Sequence, residues 1–441
     1  MSENTVIDTA INVREGILLR KDLIPPLTLT HHFTKIRNIL AGQAEGMTLD
    51  QTIVTQIIDI LLCKIYDEQT TEMDKPVKVQ YLKGETTEEL SVRISTLFEE
   101  IKRLPEVGAL FRNGETLEIQ GELLREIIIV LQPFELTNAG RDIVGEAFET
   151  FIGPSLRGDE GQFFTPRNVV ELICKMLNPK PGEVVVDPAC GTGGFLTQAI
   201  RNYSSEDTDV CVYGIDKDSF LARVAAIQIG LVRKDSNSWA YNANSLAAPH
   251  SWPSVLLNNV TPGTVDVIMT NPPFGSKITI ALELLQQFTL GKTWKRKKDG
   301  TWDETSAVAS NRPPQILFIE RCLELLKPGG RMGIVLPDGI LGNQKEGYVR
   351  NYILSKADLI AIIDLPLETF MPSTSTKTSV IFLRKKGTST KQENIFMAMA
   401  EKCGHDRRGK EIFKDDGTPD DDLQDIALEY EKWRVKNASD F

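Results

Sequence analysis

The run Gly182-Glu183-Val184-Val185-Val186-Asp187-Pro188-Ala189-Cys190-Gly191-Thr192-Gly193-Gly194-Phe195 constrains this chain more than any other stretch. A short apolar segment opens into a glycine-rich turn, and Phe195 to Tyr203 then reads as a helix. Strand, glycine turn and helix in that order mark an α/β sheet, and the context separates them from a stray glycine cluster. The glycines let the backbone approach a ligand closely, and the helix start favours polar or anionic groups. The turn lacks G-x-x-x-x-G-K-[ST], so it is not a nucleotide-phosphate loop.

A second strand, Val210 to Ile215, ends at Asp216. An acid about 20 residues beyond a glycine loop is placed to bind ribose hydroxyls, with Asp218 as the alternative. After the helix Phe220 to Leu231, Tyr241 to Leu246 reads as a third strand end. There the Asn244 amide, which both donates and accepts, suits an adenine edge. A fourth strand, Val265 to Thr270, runs into Asn271-Pro272-Pro273-Phe274. Asn271 carries a side-chain acceptor, while the two prolines keep their carbonyls but have no N–H and a fixed φ. A stiff rim of acceptors beside one aromatic face suits a planar group bearing NH₂, such as a nucleobase amine. Upstream, in Gly161-Gln162-Phe163-Phe164-Thr165-Pro166-Arg167, Thr165 is expected to cap the helix Val169 to Leu177, with Pro166 at its first position.

Residues 1–155 read as an α-helical domain, with stripes over Leu27–Ala41, Met47–Tyr66, Thr86–Leu104, Gly121–Leu131 and Arg141–Phe151. Residues 156–388 hold the α/β pattern, continued by helix Gln315 to Leu326 and strands Met332–Leu336, Ile360–Asp364 and Thr378–Leu383. Between them, Lys292, Lys295, Arg296, Lys297 and Lys298 with Trp294 and Trp302 form a basic segment, read as a solvated loop or a nucleic-acid contact. The sheet is expected to finish near Leu383, leaving 389–441 as a tail. Its final helix, Asp422 to Val435, presents Leu423, Ile426, Tyr430 and Trp433 on one face, which must pack on this chain or on a partner.

The net charge of −11 divides unevenly, −10 over residues 1–155, +3 over 156–388 and −4 over 389–441. The middle alone would not hold a duplex tightly, because phosphate contacts dominate such affinity. The six cysteines are scattered without a C-x-x-C pair, and the four histidines form no H-E-x-x-H. No metal site is expected, and a reducing cytoplasm fits. No secretory start or membrane-spanning apolar run is read.

The glycine loop, the acid after the second strand and Asn271-Pro272-Pro273-Phe274, in that order, resemble an S-adenosylmethionine-dependent amino-methyltransferase. With Gln162 to Arg167 added, the chain resembles the modification subunits of type I restriction–modification systems, adenine-specific DNA methyltransferases. That resemblance implies a Rossmann-like methyltransferase domain behind an α-helical one, with S-adenosylmethionine as cofactor. It puts Gln162, Phe163, Phe164, Thr165, Pro166 and Arg167 along the cofactor site. Asp187, Gly191, Thr192, Gly193, Gly194 and Phe195 would hold the methionine part, Asp216 the ribose, and Asn244 the adenine, where many relatives carry Asp. Asn271 and the Pro272 carbonyl would accept the target amine, Phe274 would stack on the base, and Phe370 would form the far wall. The implied partners are DNA, a specificity subunit bound by two modification subunits, and a restriction subunit. RNA or protein-glutamine methylation and a non-catalytic scaffold are the rival readings. Neither the short acidic tail nor the basic segment offers a module for reading base edges, so sequence choice is expected to come from the specificity subunit, docked on the apolar face of Asp422–Val435.

Overall fold

The computed structural model describes residues 17–26, 29–43, 51–111, 114–138, 165–204, 210–233, 237–275, 278–387 and 394–437. The helix expected at Arg141–Phe151 and the site residues Gln162, Phe163 and Phe164 lie outside them. The chain forms two compact units, residues 1–158 with 230–232, and residues 159–229 with 233–441.

The first unit is helical, as its apolar spacing requires. Its longer helices are α1 (Thr30–Gln43), α2 (Gln51–Thr70), α3 (Thr87–Lys102) and α4 (Gly121–Leu131). Helix α3 starts on a reciprocal cap. The Thr86 hydroxyl accepts the Glu89 N–H at 3.2 Å, and the Glu89 carboxylate accepts the Thr86 N–H at 2.9 Å. Its stripe Leu90, Ile94, Leu97 and Ile101 is buried, as the period of 3.6 dictates.

The second unit opens with α5 (Arg167–Leu177), β1 (Val184–Asp187), α6 (Gly194–Tyr203), β2 (Cys211–Asp216), α7 (Ser219–Val232) and β3 (Trp239–Asn242). Strand β4 (Val265–Thr270) is followed by a two-stranded hairpin, β5 (Lys292–Arg296) and β6 (Trp302–Val308). Then come α8 (Pro314–Leu325), β7 (Leu326–Pro337), α9 (Gly347–Lys356), β8 (Ala357–Asp364), β9 (Thr378–Lys385), β10 (Phe396–Met399) and α10 (Leu423–Lys436). Eight strands form one sheet in the order β3-β2-β1-β4-β7-β9-β8-β10, and β9 runs against both of its neighbours. The chain winds outward from β1 to β3, then returns to lay β4 on the other side of β1. That reversal leaves a crevice at the carboxyl ends of β1 and β4, where open α/β sheets hold their ligands. All six residues of β4 are buried, so its hydrophobic run carries no alternation.

Two sequence expectations change here. The sheet does not finish near Leu383, because β10 adds an edge strand parallel to β8. Four residues of alternating exposure are too short a run to stand out as a strand. The apolar face of the last helix is not a free docking surface either. Leu423, Ala427 and Tyr430 of α10 are buried, and Tyr430 lies between Phe382 of β9 and Phe396 of β10, with centroids at 6.5 and 5.4 Å. Gln424 also donates to Glu171 of α5 at 2.7 Å. The tail therefore closes its own unit.

Candidate active site

The glycine turn follows β1 because its backbone visits conformations that other residues resist. Gly193 has φ +89°, and a Cβ there would lie 3.2 Å from the Ala225 Cβ of α7. Gly214 plays the matching part in β2, where a Cβ would lie 2.8 Å from the Cys190 sulfur. The turn can therefore lie flat on β2. The Cys190 N–H reaches the Ile215 carbonyl at 3.1 Å, and the Gly191 N–H reaches Asp216 Oδ2 at 3.0 Å.

Asp216 is thus the knot between the ends of β1 and β2. Its other oxygen accepts the Asp218 N–H at 2.9 Å. Burial pushes its carboxyl up to about 6, against the pull of those two N–H groups. Asp218, the alternative ribose acid, caps α7 instead: its Oδ1 accepts the N–H groups of Phe220 and Leu221 at 2.9 and 3.2 Å. Asp187 is buried at the end of β1 and accepts the Ala189 N–H at 3.0 Å. Burial drives it up to about 7. Gly191 and Thr192 are half-buried, Gly194 is exposed, and Phe195 is part of the core.

The sequence reading passed over Asn242, the last residue of β3. Its amide donates to the carbonyls of Asp216 and Lys217 at 3.1 and 3.0 Å and pins the acid's backbone. An amide at a strand's carboxyl end was the available signal. Asn244 is exposed, and its Oδ1 accepts the Leu246 N–H at 3.0 Å, so its NH₂ is the end turned outward. The Ser245 hydroxyl donates to the Pro188 carbonyl at 2.6 Å and ties this loop to the glycine turn.

Asn271 follows β4. Its Nδ2 donates to the Thr165 hydroxyl at 3.1 Å, and its Oδ1 is buried with no hydrogen-bond partner among the described residues. A buried amide carbonyl left without a partner costs about 1–3 kcal/mol, and such groups call for an explanation. Pro272 and Phe274 are buried beside it. The Phe274 ring meets Phe370 edge to face, with centroids 6.4 Å apart.

Thr165 does not cap the following helix. Pro166 stands at the cap of α5 and makes no side-chain bond there, which leaves the Thr165 hydroxyl for Asn271. Arg167 is exposed and reaches Glu171 of its own helix at 3.0 Å. Helix α5 is held from behind by the tail, since Asn168 donates to the Cys403 carbonyl and to Asp421 at 3.0 and 3.1 Å. Among the described residues no helix is long and apolar enough to cross a membrane.

Comparison with solved structures identifies the fold. A protein from Vibrio vulnificus YJ016, assigned as a type I restriction enzyme modification subunit, superposes with a TM-score of 0.66 at 20% identity, covering 93% of this chain and 91% of its own. The methyltransferase subunit of a type I restriction–modification system from Streptococcus thermophilus gives 0.61 at 19% identity, over 92% of each chain. The fold is that of the α/β, Rossmann-like, S-adenosylmethionine-dependent methyltransferases. The N-6 DNA Methylase family pattern matches residues 139–440, and the chain belongs to that S-adenosylmethionine-dependent family. It is similar to the EcoEI methylase subunit of Escherichia coli, 28% identical over 405 residues, 83% of this chain and 76% of that one. It is equally similar to the StySPI methylase subunit of Salmonella potsdam, 28% identical over 63% of this chain, and there spans about half (52%) of the relative's length. The resemblance read from the motifs is borne out at the level of the family.

Proposed function

We propose that this chain is the methylating subunit of a type I restriction–modification complex and acts on N6 of an adenine turned out of duplex DNA. The carrying observation is the Asn271 amide: among the described residues its carbonyl is buried without a partner, its NH₂ is held by Thr165, and Phe274, three residues on, packs against Phe370. S-adenosylmethionine supplies an electrophilic sulfonium methyl group. Adenine's amine is a poor nucleophile because its lone pair is delocalised into the ring. Asn271 Oδ1 and the Pro272 carbonyl accept its two N–H bonds, which favours a pyramidal nitrogen with its lone pair directed outward. In-line placement then suffices, and no strong base is needed. Phe274 replaces the stacking that the base loses on leaving the duplex, and Phe370, in edge-to-face contact with that ring, steadies it.

The cofactor fits the crevice. Each Asp216 oxygen takes one backbone N–H and keeps lone-pair capacity for a ribose hydroxyl. A Cβ built at Gly191 meets nothing within 4 Å, so the turn borders open space. Asp187, Thr192, Gly193 and Gly194 border the methionine end, and the Asn244 NH₂ faces the adenine ring nitrogens. Thr165 acts as a positioning residue through Asn271. Thr165→Val is expected to lower turnover up to about tenfold, the scale of one hydrogen bond near 1 kcal/mol. Cofactor affinity should stay near normal, and Thr165→Ser should restore the rate. Weakened cofactor binding with full turnover at saturation would instead assign the hydroxyl to the cofactor.

Sequence choice belongs to a specificity subunit bound by two copies of this chain. No described element combines a basic docking face with side chains free to read a groove. The test is methyl transfer to duplex DNA, RNA and protein, with nucleosides resolved by mass spectrometry. N6-methyladenine at one site is expected once the specificity subunit is added, with weak activity before. Methylcytosine as the product, or robust single-site methylation by the isolated chain, would refute the reading.

A further inference from the structure

The basic segment that the sequence left between loop and nucleic-acid contact is the β5–β6 hairpin, and its construction is uneven from foot to tip. A free two-stranded hairpin is marginal in water, and this one is locked at its stem. Glu320 of α8, buried, accepts the N–H groups of Thr289 and Leu290 at 2.8 and 2.7 Å. Arg312 donates to the carbonyls of Leu290 and Lys292 at 3.1 and 2.6 Å and lies over the Tyr348 ring at 4.7 Å. Trp294 and Trp302 pack on the same ring, with centroids at 5.9 and 6.0 Å. Both indoles are therefore engaged within the chain rather than held out for bases to stack on.

The tip is different. Lys295, Arg296, Lys297 and Lys298 are consecutive and exposed. Lys297 pairs with Asp303 at 2.8 Å, and Asp299 is occupied in the turn by the Thr301 N–H and hydroxyl at 2.9 and 2.7 Å. No acid among the described residues pairs with Lys295, Arg296 or Lys298. Over residues 295–303 four cations meet two carboxylates, so the tip keeps a net charge of +2, and a chain of net charge −11 has acids to spare for pairing the rest. Their place follows from topology. The hairpin lies between the carboxyl end of β4, which carries Asn271 to Phe274, and the start of α8, which returns to the other end of the sheet. It therefore stands at the same sheet edge as the target-amine acceptor. Val308 at its foot packs on the apolar cluster that also receives Ala189 of the glycine turn.

We propose that this tip grips the phosphate backbone of the duplex beside the flipped adenine, through Lys295, Arg296 and Lys298. The proposal rests on the DNA-methylase reading. With the tryptophans engaged elsewhere, the contact reads charge and not bases, so it adds affinity equally on any sequence. A stem fixed in advance spends little ordering free energy on contact.

The test is a salt titration of duplex binding by the assembled methylase, full-length and with cofactor, comparing wild type with the triple variant Lys295→Ala, Arg296→Ala, Lys298→Ala. Each lost phosphate contact removes about 0.9 from the slope of log K on log salt, so the slope should become shallower by about 2 to 3. The loss should be the same on cognate and non-cognate duplexes, with melting temperature and cofactor affinity unchanged. Arg296→Lys should keep the wild-type slope. An unchanged slope in the triple variant would overturn the proposal, as would a loss confined to the cognate sequence. Failed subunit assembly with the slope retained would also overturn it, by making the tip a protein contact. A flattened slope in an enzyme that methylates no adenine would support the grip while removing the methylase reading.

Discussion

Asn271→Ala is expected to cut methyl transfer by at least about a hundredfold, the scale of one preorganised acceptor lost from a transition state. The argument rests on direction and burial. Asn271 Oδ1 is buried and has no partner among the described residues, while Nδ2 is committed to Thr165. The ligand-free fold thus carries the desolvation cost of that oxygen in advance. It is recovered when an N–H donor arrives, and more fully as the amine nitrogen becomes cationic in the transition state. Alanine removes the acceptor but no cofactor contact, so cofactor affinity should stay near normal. The measurement is turnover by the assembled enzyme at saturating cofactor and DNA, with cofactor binding followed by calorimetry. Near-normal turnover would show that Asn271 is not the acceptor. Equal losses in turnover and cofactor binding would show a disordered crevice instead.

Asp216→Ala should act on the other substrate, weakening cofactor binding by about 1–3 kcal/mol. Asp216→Asn keeps an acceptor for the Gly191 N–H and separates loss of charge from loss of the knot. A pH dependence follows. Burial raises the Asp216 carboxyl to about 6 from an ordinary 3.8, so the folded chain binds that proton more tightly than the unfolded chain. Its contribution to the ligand-free fold is therefore fully present below pH 3.8 and is lost as pH rises through about 6. Asp187 extends the trend toward about 7. The cofactor should show the reverse, since ribose hydroxyls donate to the carboxylate: affinity should fall as pH drops through about 6. Calorimetric titrations across that range in wild type and Asp216→Asn give the check. A wild-type affinity flat with pH would remove Asp216 from the cofactor site.

Much of this site was legible along the chain because its parts are local. A glycine at φ +89°, an acid ending a strand and a proline pair after a buried strand are demands of the backbone within a few residues. Together with the order of the strands, they define a Rossmann-like methyltransferase and its family. The boundaries of α6, α7 and β4 fall within about a residue of those read from pattern alone.

Other features are set by contacts between distant residues, which leave no periodic trace. Thr165 and Asn271 meet across 106 positions, and an Asn-Pro-Pro turn carries no sign of which hydroxyl will orient its amide. A Thr before Pro reads as a helix cap, and only the arrival of β4 beside α5 gives its hydroxyl another partner. The stripe on α10 reads the same whether it covers this chain or another, because amphipathicity reports that a face is buried and not by what. The sheet edge formed by β10 supplies the cover. The basic segment reads the same as a loop or a hairpin until Tyr348, about fifty residues later in the chain, supplies the ring on which both tryptophans rest. The sequence by itself determined the fold class, the family and the candidates for the site. The tertiary structure decided how those side chains are aimed and which exposed groups are left for a partner, because aim and exposure depend on neighbours that folding alone brings together.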